Sequence, residues 1–158
     1  MREQKKRKPD ILLEQIGAED FCKCGNIWDM KACPFTEHFY AQLKHGSRLT
    51  FVYQVHGAYI AEGSLVTEHD DREYVIPNER IYLSRMIVKK GYRNQGIGGM
   101  LLDFLIQKAK ELGYKEMALG VDCDNACALH LYRKKGFDTI IRRDEDEYGA
   151  YYKLLKIL

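Results

Sequence analysis

The sequence predicts an α/β fold in which a mixed central sheet is flanked by helices. Strand-like apolar runs alternate with segments of helical period along the chain. A strongly amphipathic helix follows a glycine-rich stretch at mid-chain, and two strand-like runs around an acidic turn close it.

Taken in order, Ile11 to Ile16 reads as a first strand and Ala18 to Met30 as a helix of weaker periodicity. Pro34 opens a second helix that runs through Leu43 and stops at Gly46. Arg48 to Val55 and Ala58 to Thr67 form a hairpin about Gly57. The polar run Glu68 to Glu79 reads as a surface loop, and Arg80 to Val88 returns to strand character. Ile97, Leu101, Leu102, Leu105, Ile106, Ala109 and Leu112 recur at three- and four-residue spacings, marking a helix ended by Gly113. Tyr114 to Val121 is the next strand. Asn125 caps a helix reaching Lys135, with Gly136 in the terminating left-handed position. Phe137 to Arg143 and Tyr148 to Ile157 form the last hairpin around the acidic turn 144–147.

The 158 residues fit a single domain, 1–158, with enough chain to bury a core unaided. Net charge is +2. Residues 1–8 hold five Lys or Arg against one Glu, so they carry +4 and read as a flexible basic terminus. The remainder, near −2, offers no broad basic surface for nucleic acid. No apolar run approaches the roughly 20 residues that cross a bilayer, and no signal segment follows the basic start, so the expected location is cytoplasmic. Five cysteines make an odd set for a secreted scaffold. Cys22, Cys24 and Cys33 lack a second close pair, so they read as thiols, and no metal is expected.

The sharpest motif is YRNQGIGG, residues 92–99, between a strand and the strong helix. Gly96, Gly98 and Gly99 permit close approach to backbone, and first-turn amides without intrahelical acceptors favour an anion. This is a phosphate cradle, with Arg93 at its edge. A nucleotide P-loop needs Lys-Ser/Thr after its last glycine, which Gly99-Met100 does not supply; a dinucleotide fingerprint needs glycine where Leu101 stands.

Residues 48–140, and most strongly Ile81 to Phe137, resemble the GCN5-related N-acetyltransferase (GNAT) superfamily. Arg93-x-x-Gly96-x-Gly98 is similar to its acyl-CoA pyrophosphate motif. Asn125, Ala128, Leu131-Tyr132 and Gly136-Phe137 are similar to its downstream N-x-x-A-x-x-L-Y-x-x-x-G-F segment. The resemblance implies a mostly antiparallel sheet with one splayed parallel pair, residues 81–88 and 115–121, holding acetyl-CoA. Backbone amides of Asn94, Gln95, Gly96, Ile97, Gly98 and Gly99 would take the pyrophosphate. Backbone near Ile87 and Val88 would bond the pantetheine arm, with Asn125 and Ala128 beside it.

The same resemblance makes Tyr132 the general acid that protonates the departing thiolate. Several relatives place a glutamate base four residues before the valine that ends the fourth strand. That position here is Ser84, a poor base, so the role passes to Glu79, Asp122 or a water chain ending at one of them and ordered by Ser84, or an amine of modest pKa arrives partly neutral and needs little help. His56, His69 and His130 read as structural or solvent-facing. The carboxylates of 68–79 and 144–147 either favour a cationic amine or are simply two solvated acidic turns, and Trp28, Phe35, Phe39 and Tyr40 either wall an acceptor pocket or simply pack. A small-molecule amine is therefore expected ahead of a protein or peptide acceptor, with a noncatalytic acyl-CoA sensor as the other class. A homodimer is compatible with the resemblance.

Overall fold

The computed structural model describes residues 10–158. The basic run 1–8 lies outside the described residues. Seven strands form one sheet in the order β1-β2-β3-β4-β5-β7-β6. They are β1 (Leu12–Ile16), β2 (Arg48–Val55), β3 (Ala58–Val66), β4 (Arg80–Val88), β5 (Glu116–Asp122), β6 (Thr139–Asp146) and β7 (Gly149–Ile157). Every neighbouring pair is antiparallel except β4 and β5, which are parallel. The helices are α1 (Thr36–His45), α2 (Ile97–Glu111) and α3 (Ala126–Lys134).

Side-chain alternation sorts the layers. Phe51, Tyr53, Leu65, Ile81, Leu83 and Leu119 face Leu101, Leu102 and Leu105 of α2, with Leu129 and Leu131 of α3 packed on the same cluster. Gly63 lets α2 approach closely, since a Cβ there would sit 2.6 Å from Leu105 Cδ1. The opposite face packs Ile16, Val52 and Tyr59 against Phe21, Cys24, Ile27 and Trp28. That face also buries polar groups: Arg48, Thr50, Glu62 and Ser64 are each at most 2% exposed.

Two of the predicted elements differ. Ala18–Asn26 is a 3-10 helix rather than an α-helix through Met30. Gly25 and Asn26 are poor helix formers, and Asn26 Nδ2 instead donates to the Tyr59 carbonyl at 2.7 Å. The acidic run is not the turn itself: Asp144, Glu145 and Asp146 complete β6, and the reversal falls between Asp146 and Gly149.

The caps follow the sequence. Gly46 takes φ 89 after α1, Asn125 Oδ1 accepts from the Ala128 amide at 3.2 Å, and Gly136 takes φ 95 after α3. Truncating Leu105, fully buried between α2 and the sheet, to alanine is expected to cost about 2–5 kcal/mol. Urea unfolding monitored by circular dichroism measures that loss.

Candidate active site

The site begins where β4 parts from β5. Only Arg80 to Leu83 pair with Glu116 to Leu119. At the next position β4 carries a bulge: Ser64 lies opposite Arg85 and Leu65 opposite Leu83, so Ser84 has no partner on β3. An extra residue bends a strand and raises its twist. β4 therefore continues along β3 to Val88 while β5 continues along β7, and a wedge opens between them.

The Lys89 amide donates to the Ile60 carbonyl at 2.8 Å, which fixes the alternation of backbone groups beyond the bulge. Ile87 then turns its amide and carbonyl to β3, whereas Met86 and Val88 turn theirs into the wedge. The backbone groups expected near Ile87 and Val88 are thus those of Met86 and Val88. The sequence could not separate them, because the bulge sets the phase. Arg93 Nε occupies the Val88 carbonyl at 2.9 Å, tying the glycine-rich turn to the strand end.

The turn itself is exposed through Arg93, Asn94, Gln95 and Gly96. Asn94 and Gly96 adopt φ 62 and 80, and Gln95 Nε2 donates to the Gly91 carbonyl at 3.3 Å. Gly96 is the N-cap of α2, with no side-chain cap bond and no acidic residue in the first turn. The amides of Ile97, Gly98 and Gly99 therefore present the positive end of α2 without a competing carboxylate. At Gly98 a Cβ would touch Val88 Cγ2 at 3.6 Å and Leu131 Cδ2 at 3.9 Å, so α2, α3 and the strand end converge there.

A cleft of about 740 Å³ fills the wedge, lined by Ser84 to Ile87 on one side and Gly120 to Asp122 on the other. Asn125 at the N-cap of α3, Ala128 and Tyr132 of α3, and Tyr74, Asp146, Tyr148 and Tyr151 complete the lining. Tyr132 is 8% exposed, its ring edge-on to Phe137 at 5.8 Å. Burial, reinforced by Tyr82, pushes its phenol up to about 12. The hydroxyl is thus held in its proton-bearing form throughout the neutral range.

Of the other predicted residues, Ser84 and Asp122 reach the cleft. Ser84 Oγ accepts from Arg48 Nη1 at 3.0 Å, which makes it a holder of that guanidinium. Glu79 does not reach it. It lies at the closed end of the wedge, five residues before Ser84 or about 16 Å along an extended strand. Its carbonyl accepts from the Lys115 and Glu116 amides, closing the parallel pair.

The acidic loop is also less open than its composition suggests. Lys153 Nζ, on β7 and nearly buried, contacts Asp71 at 2.6 Å and Glu73 at 3.1 Å, and Arg142 Nε reaches Glu73 at 2.8 Å. Burial opposes the Lys153 charge, but the two carboxylates outweigh it and its pKa rises above the ordinary value. The tie seats Tyr74, whose hydroxyl lies 2.7 Å from where a Gly120 Cβ would be and whose ring stacks on Tyr82 at 4.2 Å. Burial, the largest cause, raises the Tyr74 pKa. His69 stands edge-on to both rings at 5.5 Å, while His130 is exposed.

A second recess of about 350 Å³ meets the cleft at Ser84 and Arg85, with Phe35, His38, Phe39, Gln42, His69 and Tyr82 around it. Trp28 is buried behind it, and Tyr40 points elsewhere, 43% exposed. Met86, Tyr74, Arg48 and Arg85 escaped the sequence reading. Nothing short of the bulge and the loop tie reveals that Tyr74, Arg85 and Met86 line one cleft and that Arg48 reaches Ser84.

A splayed parallel pair, an uncapped glycine-rich helix start and a phenol below them are the marks of one fold. The family model for the acetyltransferase (GNAT) family matches residues 15–137. This chain belongs to the GNAT family. A 60-residue stretch is 37% identical to the streptothricin acetyltransferase of Streptomyces lavendulae, spanning 38% of this chain and only 32% of that relative. Among solved structures, the ribosomal-protein-S18-alanine N-acetyltransferase of Escherichia coli superposes with a TM-score of 0.76 at 21% identity, covering 94% of each chain. A GNAT family acetyltransferase from Elizabethkingia anophelis with acetyl-CoA bound gives 0.71 at 22%, covering 96% of this chain and all of the other. At these identities the structures establish a shared fold. Among the described residues of the GNAT chain, no helix is long and apolar enough to cross a membrane.

Gly98→Val adds γ-carbons where Val88 and Leu131 leave room for little more than a Cβ. It is expected to weaken acetyl-CoA binding about tenfold, near 1.4 kcal/mol. Calorimetric titration of the folded variant reads the change.

Proposed function

We propose that this chain is an acetyl-CoA-dependent N-acetyltransferase that acts on a primary amine of a small molecule by direct transfer in a ternary complex. The observation that carries the reading is the wedge opened at Ser84, flanked by unpaired strand backbone and lined by a buried, neutral phenol. The residues fit the donor. Uncapped amides of Ile97 to Gly99 suit its pyrophosphate, and the outward-turned backbone of Met86 with the Val88 amide suits the amides of its pantetheine arm. Asn125 and Ala128 border the same path.

In this reading the amine nitrogen attacks the thioester carbonyl, the new C–N bond forms and the C–S bond breaks. Tyr132 gives its proton to the departing sulfur, which leaves as the thiol. The cationic amine loses one proton to solvent before it attacks and a second, once the C–N bond has formed, to water held by Asp122, the predicted base candidate that the cleft retains; a proton returned from solvent restores the Tyr132 phenol. Ser84 contributes through Arg48 rather than as a base.

The modest recess supports a small acceptor over a peptide, since a peptide needs an open groove along the sheet. Asp122 and Asp146 at the cleft suit an amine arriving as a cation; Asp71 and Glu73 are engaged by Lys153 and Arg142. Five unpaired thiols suit a reducing, cytoplasmic setting.

Amine-dependent release of CoA thiol from acetyl-CoA tests the activity. Release with no member of a panel of polyamines, aminoglycosides, aromatic amines, amino acids and basic peptides would refute it. Tyr132→Phe is expected to lower kcat about 10²-fold or more, in the range of general acid catalysis, with little change in acetyl-CoA affinity. The pH profile follows from the raised phenol. The acid form persists until pH approaches about 12, so kcat should rise as the amine deprotonates and show no fall from Tyr132 through pH 10. A descending limb between pH 8 and 9 that vanishes in Tyr132→Phe would contradict the assignment.

A further inference from the structure

One guanidinium, of Arg85, lines the recess beside Ser84 and a second, of Arg48, is buried behind its wall, while the carboxylate buried nearby is turned to other partners. Arg48 is 2% exposed. Its Nη1 donates to Gln42 Oε1 and Ser84 Oγ, each at 3.0 Å, while Nε and Nη2 have no partner among the described residues. The guanidinium stands 3.9 Å from the Phe39 ring centroid. Phe39, Gln42 and Ser84 all line the recess, so the Arg48 guanidinium that touches them lies behind its wall.

Arg85 lines both the recess and the main cleft. Its guanidinium lies 4.1 Å from the Trp28 ring centroid and 5.8 Å from that of Phe39, and its buried Nε is likewise without a partner. Glu62, fully buried, accepts from Trp28 Nε1 at 2.6 Å and from Ser64 Oγ at 3.4 Å. Burial, opposed by Glu62, lowers the Arg48 pKa only to about 10, so it stays charged at neutral pH.

Proteins rarely bury a cation without a counter-charge or a full set of acceptors. Stacking on aromatic faces holds a guanidinium plane but leaves its edge of N–H donors free. A planar carboxylate matches such an edge with two parallel hydrogen bonds. The recess has room for one, bounded by Phe35, Phe39 and Tyr82, and it opens onto the cleft beside the bulge.

We propose that this recess binds a carboxylate of the acceptor, so that the amine acetylated belongs to an amino acid or a similar zwitterion. The carboxylate sits on Arg85 with Arg48 behind it, and the amino group faces the cleft that holds Asp122 and Asp146. This rests on the acetyl-transfer reading above and narrows its substrate class.

The test pairs each of the common amino acids with its carboxamide, which keeps the amine and removes the negative charge. CoA thiol release is followed at saturating acetyl-CoA, and binding of each acid to the CoA-loaded protein is measured by calorimetry. The best acid should exceed its amide at least about tenfold in kcat/KM, the size expected for hydrogen bonds to a charged group. In Arg85→Gln that ratio should fall toward one, and Arg85→Lys should keep part of it; circular dichroism verifies that both variants fold. Amides as good as acids, or a ratio unchanged in Arg85→Gln, would overturn the proposal and leave the transferase reading standing. If no acid or amide is acetylated, calorimetry decides. Acids that bind the wild type and not Arg85→Gln support the carboxylate site while counting against transfer, and acids that bind neither overturn it.

Discussion

One added residue in β4 governs this molecule. Pairing between β4 and β5 holds for four residues and then ends, because the bulge at Ser84 turns β4 along β3. Without that phase change the two strands would continue as an ordinary parallel ladder, and their edge groups would satisfy one another. The bulge leaves those groups without a strand partner at the mouth of a packed core, where Arg93 takes only the Val88 carbonyl. It also turns Arg85 toward the face that carries Trp28 and Glu62, and the backbone of Met86 and Val88 toward the wedge. Donor path, acceptor recess and their junction all descend from it.

Around that opening the molecule keeps two kinds of interior. Beneath α2 the sheet face is apolar and close-packed, which fixes the wedge's width. Beneath α1 and the 3-10 segment the same sheet buries Arg48, Thr50, Glu62 and Ser64. Hydrogen bonds among such groups are directional, so they specify position more sharply than apolar packing does. The face with more precise placement is the one against which the acceptor recess is built.

The sequence made much of this legible where structure is local. The bounds of β2 and β4 follow from strand patterning, and Gly46, Asn125 and Gly136 stand where capping chemistry needs them. The glycine-rich motif and Tyr132 were also visible, since the motif is contiguous and the tyrosine lies at a fixed offset from Asn125. What stayed hidden depends on register between distant strands. Nothing near Ser84 announces a bulge. Arg48, Glu62 and Arg85 each sit in apolar strands 14 to 23 residues apart, and only the assembled sheet puts them on one face. The acidic loop misled for a related reason: its partners, Arg142 and Lys153, arrive from the last hairpin.

The Lys153 tie has a consequence for the thermodynamics of recognition. Loops that border binding sites often order only when ligand arrives, and the lost conformational entropy weakens binding. Here the segment bearing Tyr74 is held by an almost buried ammonium between Asp71 and Glu73, so its ordering is completed during folding. Acceptor association at this wall should therefore show a small heat-capacity change, set by the surface covered and not by a loop that folds on contact.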